Sequence, residues 1–169
     1  MDSGILVLRI VLGLLMAAHG AQKLFGWFGG HGLAGTSGFF ESLGFHPGRF
    51  FATIASVSEV GSGLLMVLGL FGPVGPALMV SVMIVAAVSV HGPNGLFAAS
   101  NGIEMPLLYG IGGAALALTG PGSYSLDALL GLAPLWSPAL CLGALVAGIL
   151  GGIANLALRR KPAPAPAAA

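Results

Sequence analysis

The run ILVLRIVLGLLMAAHGAQKLF, from Ile5 to Phe25, decides the fold. About 20 mostly apolar residues are what a helix needs to cross a bilayer. Only Arg9, His19, Gln22 and Lys23 interrupt this run with strongly polar side chains. Arg9, Leu12, Met16, His19, Lys23 and Gly26 follow one another at steps of three and four, which places them on one stripe of a helix, with Gln22 beside it. A cleaved secretion signal would carry a basic segment before the apolar run. Met1-Asp2-Ser3-Gly4 has none, so an uncleaved span is expected.

The rest of the 169 residues agrees. Hydrophobic residues make up 56% and charged residues 7%, and the mean hydropathy is +0.99. A soluble domain carries roughly 25% charged residues. Six Lys and Arg with five Asp and Glu cannot solvate a surface of this size. The fold class is therefore an all-α integral membrane protein. A transmembrane barrel would alternate over ~10-residue segments, and no such alternation is present. A net charge of +1 argues against a nucleic-acid partner; membrane lipid is the expected surrounding. The single cysteine, Cys141, excludes an intrachain disulfide and a dithiol redox pair.

Four more spans follow the first, which runs from about Gly4 to Phe28. They are predicted near Arg49–Phe71, Val74–His91, Glu104–Thr119 and Pro138–Leu158. Gly72-Pro73-Val74-Gly75-Pro76 forces the turn between the second and third, and Pro106 suits a first helical turn. Between the first two spans, Thr36 is expected to cap a short interfacial helix ending at Gly44, with Phe39, Phe40, Leu43 and Phe45 as its apolar face. Ser123 to Leu130 reads as a second short, capped interfacial helix. Ala144, Gly148 and Gly152 form a small-residue stripe on the fifth span, suited to packing within the chain or to a homodimer. The Pro/Ala tail at 162–169 is expected to be disordered.

Crossing parity then sorts the polar residues. Let side B hold the N-terminus and side A be the opposite face. His19 and Lys23 lie late in the first span and Glu59 early in the second. His91 ends the third and Glu104 begins the fourth. All five fall in the side-A half, with Glu59 roughly 15 Å deep at 1.5 Å per residue. Ionisable groups in lipid cost several kcal/mol each, so they must face inward and pair. We expect Glu59 to meet Lys23 and His19 in a polar funnel open to side A, and Arg9 to meet Asp127 on side B.

Several chemistries compete for this funnel. Histidines on separate spans allow a b-type haem, but Lys23 and Glu59 do not suit a haem face. A metal held by His19, Glu59, His91 and Glu104 would be repelled by Lys23, so no metal site is expected. A quinone (ubiquinone or menaquinone) fits better. His19, Gln22, Lys23, His91 and Glu104 are the binding candidates, while Glu59, His19 and Lys23 are the catalytic ones, with Glu59 able to relay a proton. Lys23 and His19 would alternatively hold a small sulfur species. No redox centre intrinsic to the chain is expected, so a redox role would need a bound quinone, a soluble partner subunit, or both. The competing classes are a non-enzymatic scaffold for a redox or stress-response complex and a small-anion carrier.

The motifs also resemble a known family. His19-Gly20-Ala21-Gln22-Lys23-Leu24-Phe25-Gly26-Trp27-Phe28-Gly29-Gly30 and the stretch from Gly35-Thr36 to Gly44 are similar to the first-helix region of the DoxX family. Glu59 with Gly61-Ser62-Gly63-Leu64-Leu65 resembles its second-helix acid and small-residue patch. His91-Gly92-Pro93-Asn94-Gly95 with Gly102-Ile103-Glu104, and Leu118 to Asp127, resemble its later motifs. The resemblance covers about residues 5–132. It implies a four-helix bundle at 1–132, to which 133–161 add a fifth C-terminal transmembrane helix. It also implies a multi-pass protein of the bacterial inner membrane. Related proteins include membrane subunits of thiosulfate:quinone oxidoreductases, and the positions carried over are His19, Lys23, Glu59, His91 and Glu104. Two departures stand out: the fifth helix, and an N-terminus without basic residues. The positive-inside count sets Lys23, Arg49, Arg159, Arg160 and Lys161 on side A against Arg9 on side B, so side A is expected to face the cytoplasm.

Overall fold

The computed structural model describes residues 2–160; Met1, Lys161 and the tail at 162–169 lie outside the described residues. All regular structure among them is helical. The helices are α1 (Asp2–Phe25), α2 (Gly32–Ser42), α3 (Gly48–Leu68), α4 (Val74–Ala86), α5 (Glu104–Thr119), α6 (Leu126–Leu129) and α7 (Pro138–Ala157). Four helical stretches are long and apolar enough to cross a membrane: Asp2–Phe25, Gly48–Leu68, Val74–Asn94 and Pro138–Ala157. The remaining long helix, α5, has 16 residues. That is about 24 Å at 1.5 Å per residue, short of the ~30 Å hydrocarbon core. Its two ends nonetheless join opposite sides of the bundle, through flanking loops described below.

Backbone contact between α1 and α3 forms the centre of the bundle. A Cβ added to Gly13 would stand 2.8 Å from the Gly63 carbonyl oxygen, and one on Gly20 would stand 2.7 Å from the Val60 nitrogen. Such close approach is how small residues replace a hydrophobic drive between helices in lipid. The small patch around Gly63 thus accommodates a neighbouring helix. Helix α3 ends on Gly69, whose left-handed φ of 64° lets Leu70 N–H return to the Leu65 carbonyl at 3.0 Å. Met16, Met66, Met79, Tyr109 and Leu116 make the buried apolar core.

Helix α7 packs on α4 and α5. Its small-residue stripe is occupied within the chain: a Cβ on Gly152 would lie 2.8 Å from the Ser81 carbonyl oxygen, and one on Gly148 would collide with that of Ala77. A second copy would have to use another face of α7.

Side B is tied by a knot of polar groups. Asp2 accepts from the Ser123 hydroxyl at 2.6 Å. Arg9, 3% exposed, donates to the Pro121 carbonyl and, at 2.8 Å, to that of Tyr124. Asp127 is fully buried and accepts from Phe71 N–H at 2.9 Å, Gly72 N–H at 2.6 Å and Trp136 Nε1 at 2.7 Å. The expected Arg9–Asp127 pair therefore does not form. Loop carbonyls take the guanidinium, and turn amides together with the Trp136 indole take the carboxylate, so each charge is held by neutral polar groups. Ser125 caps α6 by accepting from Ala128 N–H at 3.1 Å, as its sequence suggested.

One local expectation is corrected on side A. Thr36 is not a cap. Helix α2 begins earlier, at Gly32, and the Thr36 hydroxyl donates to the Lys23 carbonyl at 3.2 Å, pinning α2 to the end of α1. The third span reaches His91 as expected and continues to Asn94, but its end is not plain α-helix. It widens into a π-turn over Ala87–His91 and then tightens over Gly92–Asn94. The Ser89 hydroxyl bonds the Val85 carbonyl at 2.6 Å inside this turn. Helix α2 is also strapped to α7, where Arg160 N–H donates to the Gly44 carbonyl at 2.8 Å and Arg159 Nε to that of Leu43.

Candidate functional site

Helices α1, α3, α4 and α5 enclose a chamber of about 380 Å³ in the side-A half, roofed by Phe39 of α2. His19, Lys23, Glu59, His91 and Tyr109 supply its polar groups, and Met83, Ala86, Val90, Met105 and Pro106 its apolar wall. Parity alone brought four of those five polar residues together.

The floor is an ion pair. Lys23 Nζ donates to Glu59 Oε1, while Glu59 is 1% exposed and Lys23 33%. The carboxylate is thus shielded, while a third of its lysine partner stays accessible. Only Oε1 is satisfied; Glu59 Oε2 is buried and has no hydrogen-bond partner in the protein. A buried carboxylate oxygen without a donor costs a large part of its solvation energy. Ser56 does not relieve it, because its hydroxyl bonds the Ala52 carbonyl at 2.6 Å.

His19 stands where α1 faces α5. Its ring meets Tyr109 edge-on, with centroids 6.0 Å apart. These two helices touch lower down, where a Cβ on Gly112 would lie 2.6 Å from Leu12 Cδ1. His19 and Met105 are both exposed, so the chamber opens along the α1–α5 seam. His91 lies at the side-A rim. Its Nδ1 is 2.9 Å from the Asn101 carbonyl, which only a protonated Nδ1 can satisfy. In the neutral ring this leaves Nε2 as an acceptor.

Two expected site residues lie elsewhere. Gln22 turns away from the chamber, its amide donating to the Phe28 carbonyl at 3.2 Å. Glu104 accepts from Ala98 N–H at 2.7 Å and orders the 96–103 loop instead. Gln22 is drawn instead to the turn after α1, where the Phe28 carbonyl takes its amide. For Glu104, the loop amides at the start of α5 are nearer than the chamber. Among the described residues, no three His, Cys, Asp or Glu converge as metal ligands do.

Tyr109 was missed. It is 6% exposed and is the one tyrosine within a span. A phenol inside an otherwise apolar helix was the available signal, because a buried tyrosine hydroxyl usually seeks a partner.

Comparison with known proteins agrees with the sequence motifs. The DoxX family profile matches residues 4–92. Inner membrane protein YqjF of Escherichia coli (strain K12) is 31% identical over 134 residues, covering 76% of this chain and 93% of that protein. No solved structure matches. The chain belongs to the DoxX family and is a multi-pass protein of the bacterial inner membrane.

Proposed function

We propose that this DoxX-family protein binds the headgroup of a lipid-soluble quinone in the chamber beside Glu59 and serves as the membrane subunit of a redox complex. The observation that carries the reading is the Lys23–Glu59 ion pair among the lining of a largely apolar chamber between α1, α3, α4 and α5, beside the exposed His19 and Met105. A ligand that lives in the bilayer reaches such a chamber without crossing water. His19 and Tyr109 flank its route, and Lys23, Glu59 and His91 offer the few convergent polar groups that fix orientation in an apolar site.

The charge balance favours a neutral headgroup over a small sulfur oxyanion. The ammonium of Lys23 is matched by the Glu59 carboxylate, so the floor is near neutrality. An oxyanion there would face Glu59 at close range, and like charges in a low dielectric repel strongly. The same cancellation disfavours a small-anion carrier.

Bound at this site, the quinone supplies two-electron chemistry coupled to two protons. The chain's own residues offer groups able to carry protons: the Glu59–Lys23 pair at the floor, with His19 and His91 between it and the side-A surface. A partner protein on side A supplies or removes the electrons.

The test is titration of the purified full-length protein with a short-chain ubiquinone, alongside mass-spectrometric detection of co-purified ubiquinone or menaquinone. We expect Glu59→Gln and His19→Ala each to weaken binding by about tenfold or more, the loss of one buried polar contact. Unchanged binding in both variants would remove the site. A scaffold role would then be favoured if cross-linked partners still depended on α2.

A further inference from the structure

A second cavity adjoins the chamber along a neighbouring face of α4. It holds about 120 Å³ between α2, α3, α4 and α7. Phe40, Leu43, Phe51, Ile54, Val82 and Val85 make its wall largely apolar. Ser89 also borders it, but directs its hydroxyl to the Val85 carbonyl at 2.6 Å. Ser58, Ser81 and Asn155 are its other neutral polar groups, and Lys23 is its one charged neighbour among the described residues. Met83 lines only the chamber and Val82 and Val85 only this cleft, while Lys23, Phe39, Ala86 and Val90 border both. Helix α4 is loosely packed where the two meet. Met79 and Val80 are buried, yet every residue at 81–86 is only half-buried, although α3, α5 and α7 all pack against this helix. Six successive residues at about 100° each point all round a helix, so a lipid-facing side alone does not account for this.

We infer that chamber and cleft form one site for an amphiphile, with the headgroup in the chamber and the first segment of its apolar chain in the cleft beneath α2. This rests on the quinone-class reading above and adds the place of the chain to it. The chain passes between Ala86 and Val90 on one side and Lys23 and Phe39 on the other. Small side chains thus bound the neck on α4, and rotatable ones bound it on α1 and α2; Phe39 is 48% exposed and free to turn. The two cavities differ in chemistry as the two ends of such a ligand do. His19, Glu59, His91 and Tyr109 line the chamber and none of them lines the cleft. An apolar cavity of about 150 Å³ stays dry and takes up a six-carbon ring. A cleft of this size and lining therefore takes roughly five carbons, one isoprenyl unit. A chain there restores the contacts that the wall of an empty cavity lacks.

The experiment titrates the full-length protein, in one detergent, with ubiquinone lacking a side chain and with ubiquinone carrying one isoprenyl unit. Partitioning of the chain into detergent is the same for every variant and cancels between them. We expect the isoprenyl unit to tighten binding to the wild type about tenfold or more. Ala55 and Ser58 border the cleft and not the chamber. Ala55→Leu and Ser58→Leu each narrow it, and either should cut that gain to about threefold or less. A second measurement needs no variant: ubiquinone with a photoreactive diazirine on its isoprenyl unit should label Ala55, Ser58 or Val85 of the wild type. A gain that persists in both variants, or labelling confined to α1 and α5, would mean that the chain trails back into lipid along the α1–α5 seam. The absence of any gain in the wild type would equally remove the cleft from the site, and in each of these cases headgroup binding survives. If the wild type binds neither probe, the quinone-class reading fails and the placement of the chain falls with it.

Discussion

Lys23 and Glu59 are the residues on which the interior of the protein turns. Removing one partner of a buried ion pair leaves the other charge stranded, at about 3–5 kcal/mol when both are fully buried. Lys23 keeps a third of its side chain exposed, so we expect Lys23→Met to destabilise by a smaller amount, about 2 kcal/mol. Adding Glu59→Gln to it should recover most of that loss, as thermal unfolding in detergent would read in a double-mutant cycle. The pair itself was legible in the sequence, because the only acid at mid-depth had Lys23 and His19 as its nearest possible partners. Gln22, Glu104 and Tyr109 were not. Each was decided by something a list of polar residues does not contain: the loop carbonyl of Phe28, the amide of Ala98, and the direction of a phenol in an apolar helix.

At the scale of elements, the helices meet where side chains are smallest. Gly63 faces Ala17 so closely that an added Cβ would lie 2.6 Å from the Ala17 nitrogen. Backbone atoms cannot move aside as a flexible side chain can. Gly63→Leu is therefore expected to prevent accumulation of folded protein, a loss beyond about 4 kcal/mol. Gly143 on α7 has nothing within 4 Å of its added Cβ, and Gly143→Leu should stay within about 0.5 kcal/mol of the wild type. Comparing the two by yield and unfolding temperature separates helix packing from a general intolerance of bulk. The long helices were legible because apolar runs of spanning length and the Gly-Pro turn mark them plainly. The start of α2 was not, since Gly32 carries no capping side chain and Thr36 looked like one. Nor was the π-turn at Ala87–His91, where a wider turn is built from ordinary helix-compatible residues.

The whole molecule is polarised across the bilayer. Side B is closed by the Arg9 and Asp127 knot, and side A carries the chamber together with Arg49, Arg159 and Arg160. We expect side A to face the cytoplasm on the positive-inside rule. In a Cys141→Ala background, His46→Cys should react with a membrane-impermeant maleimide only after cells are permeabilised, and Ser123→Cys should react in intact cells. The reverse pattern would place the chamber on the periplasmic face. Helix α7 is an integral part of this arrangement, because its end holds α2 over the chamber through the Gly44 and Leu43 carbonyls.

Infrared difference spectroscopy on addition of a short-chain ubiquinone reads the carboxylate of Glu59 as the ligand enters the chamber beside it. We expect a carboxylate band that shifts on binding in the wild type and is missing from the difference spectrum of Glu59→Gln. Identical difference spectra for the two proteins would mean that whatever binds does so away from Glu59, and that the chamber is not the working site.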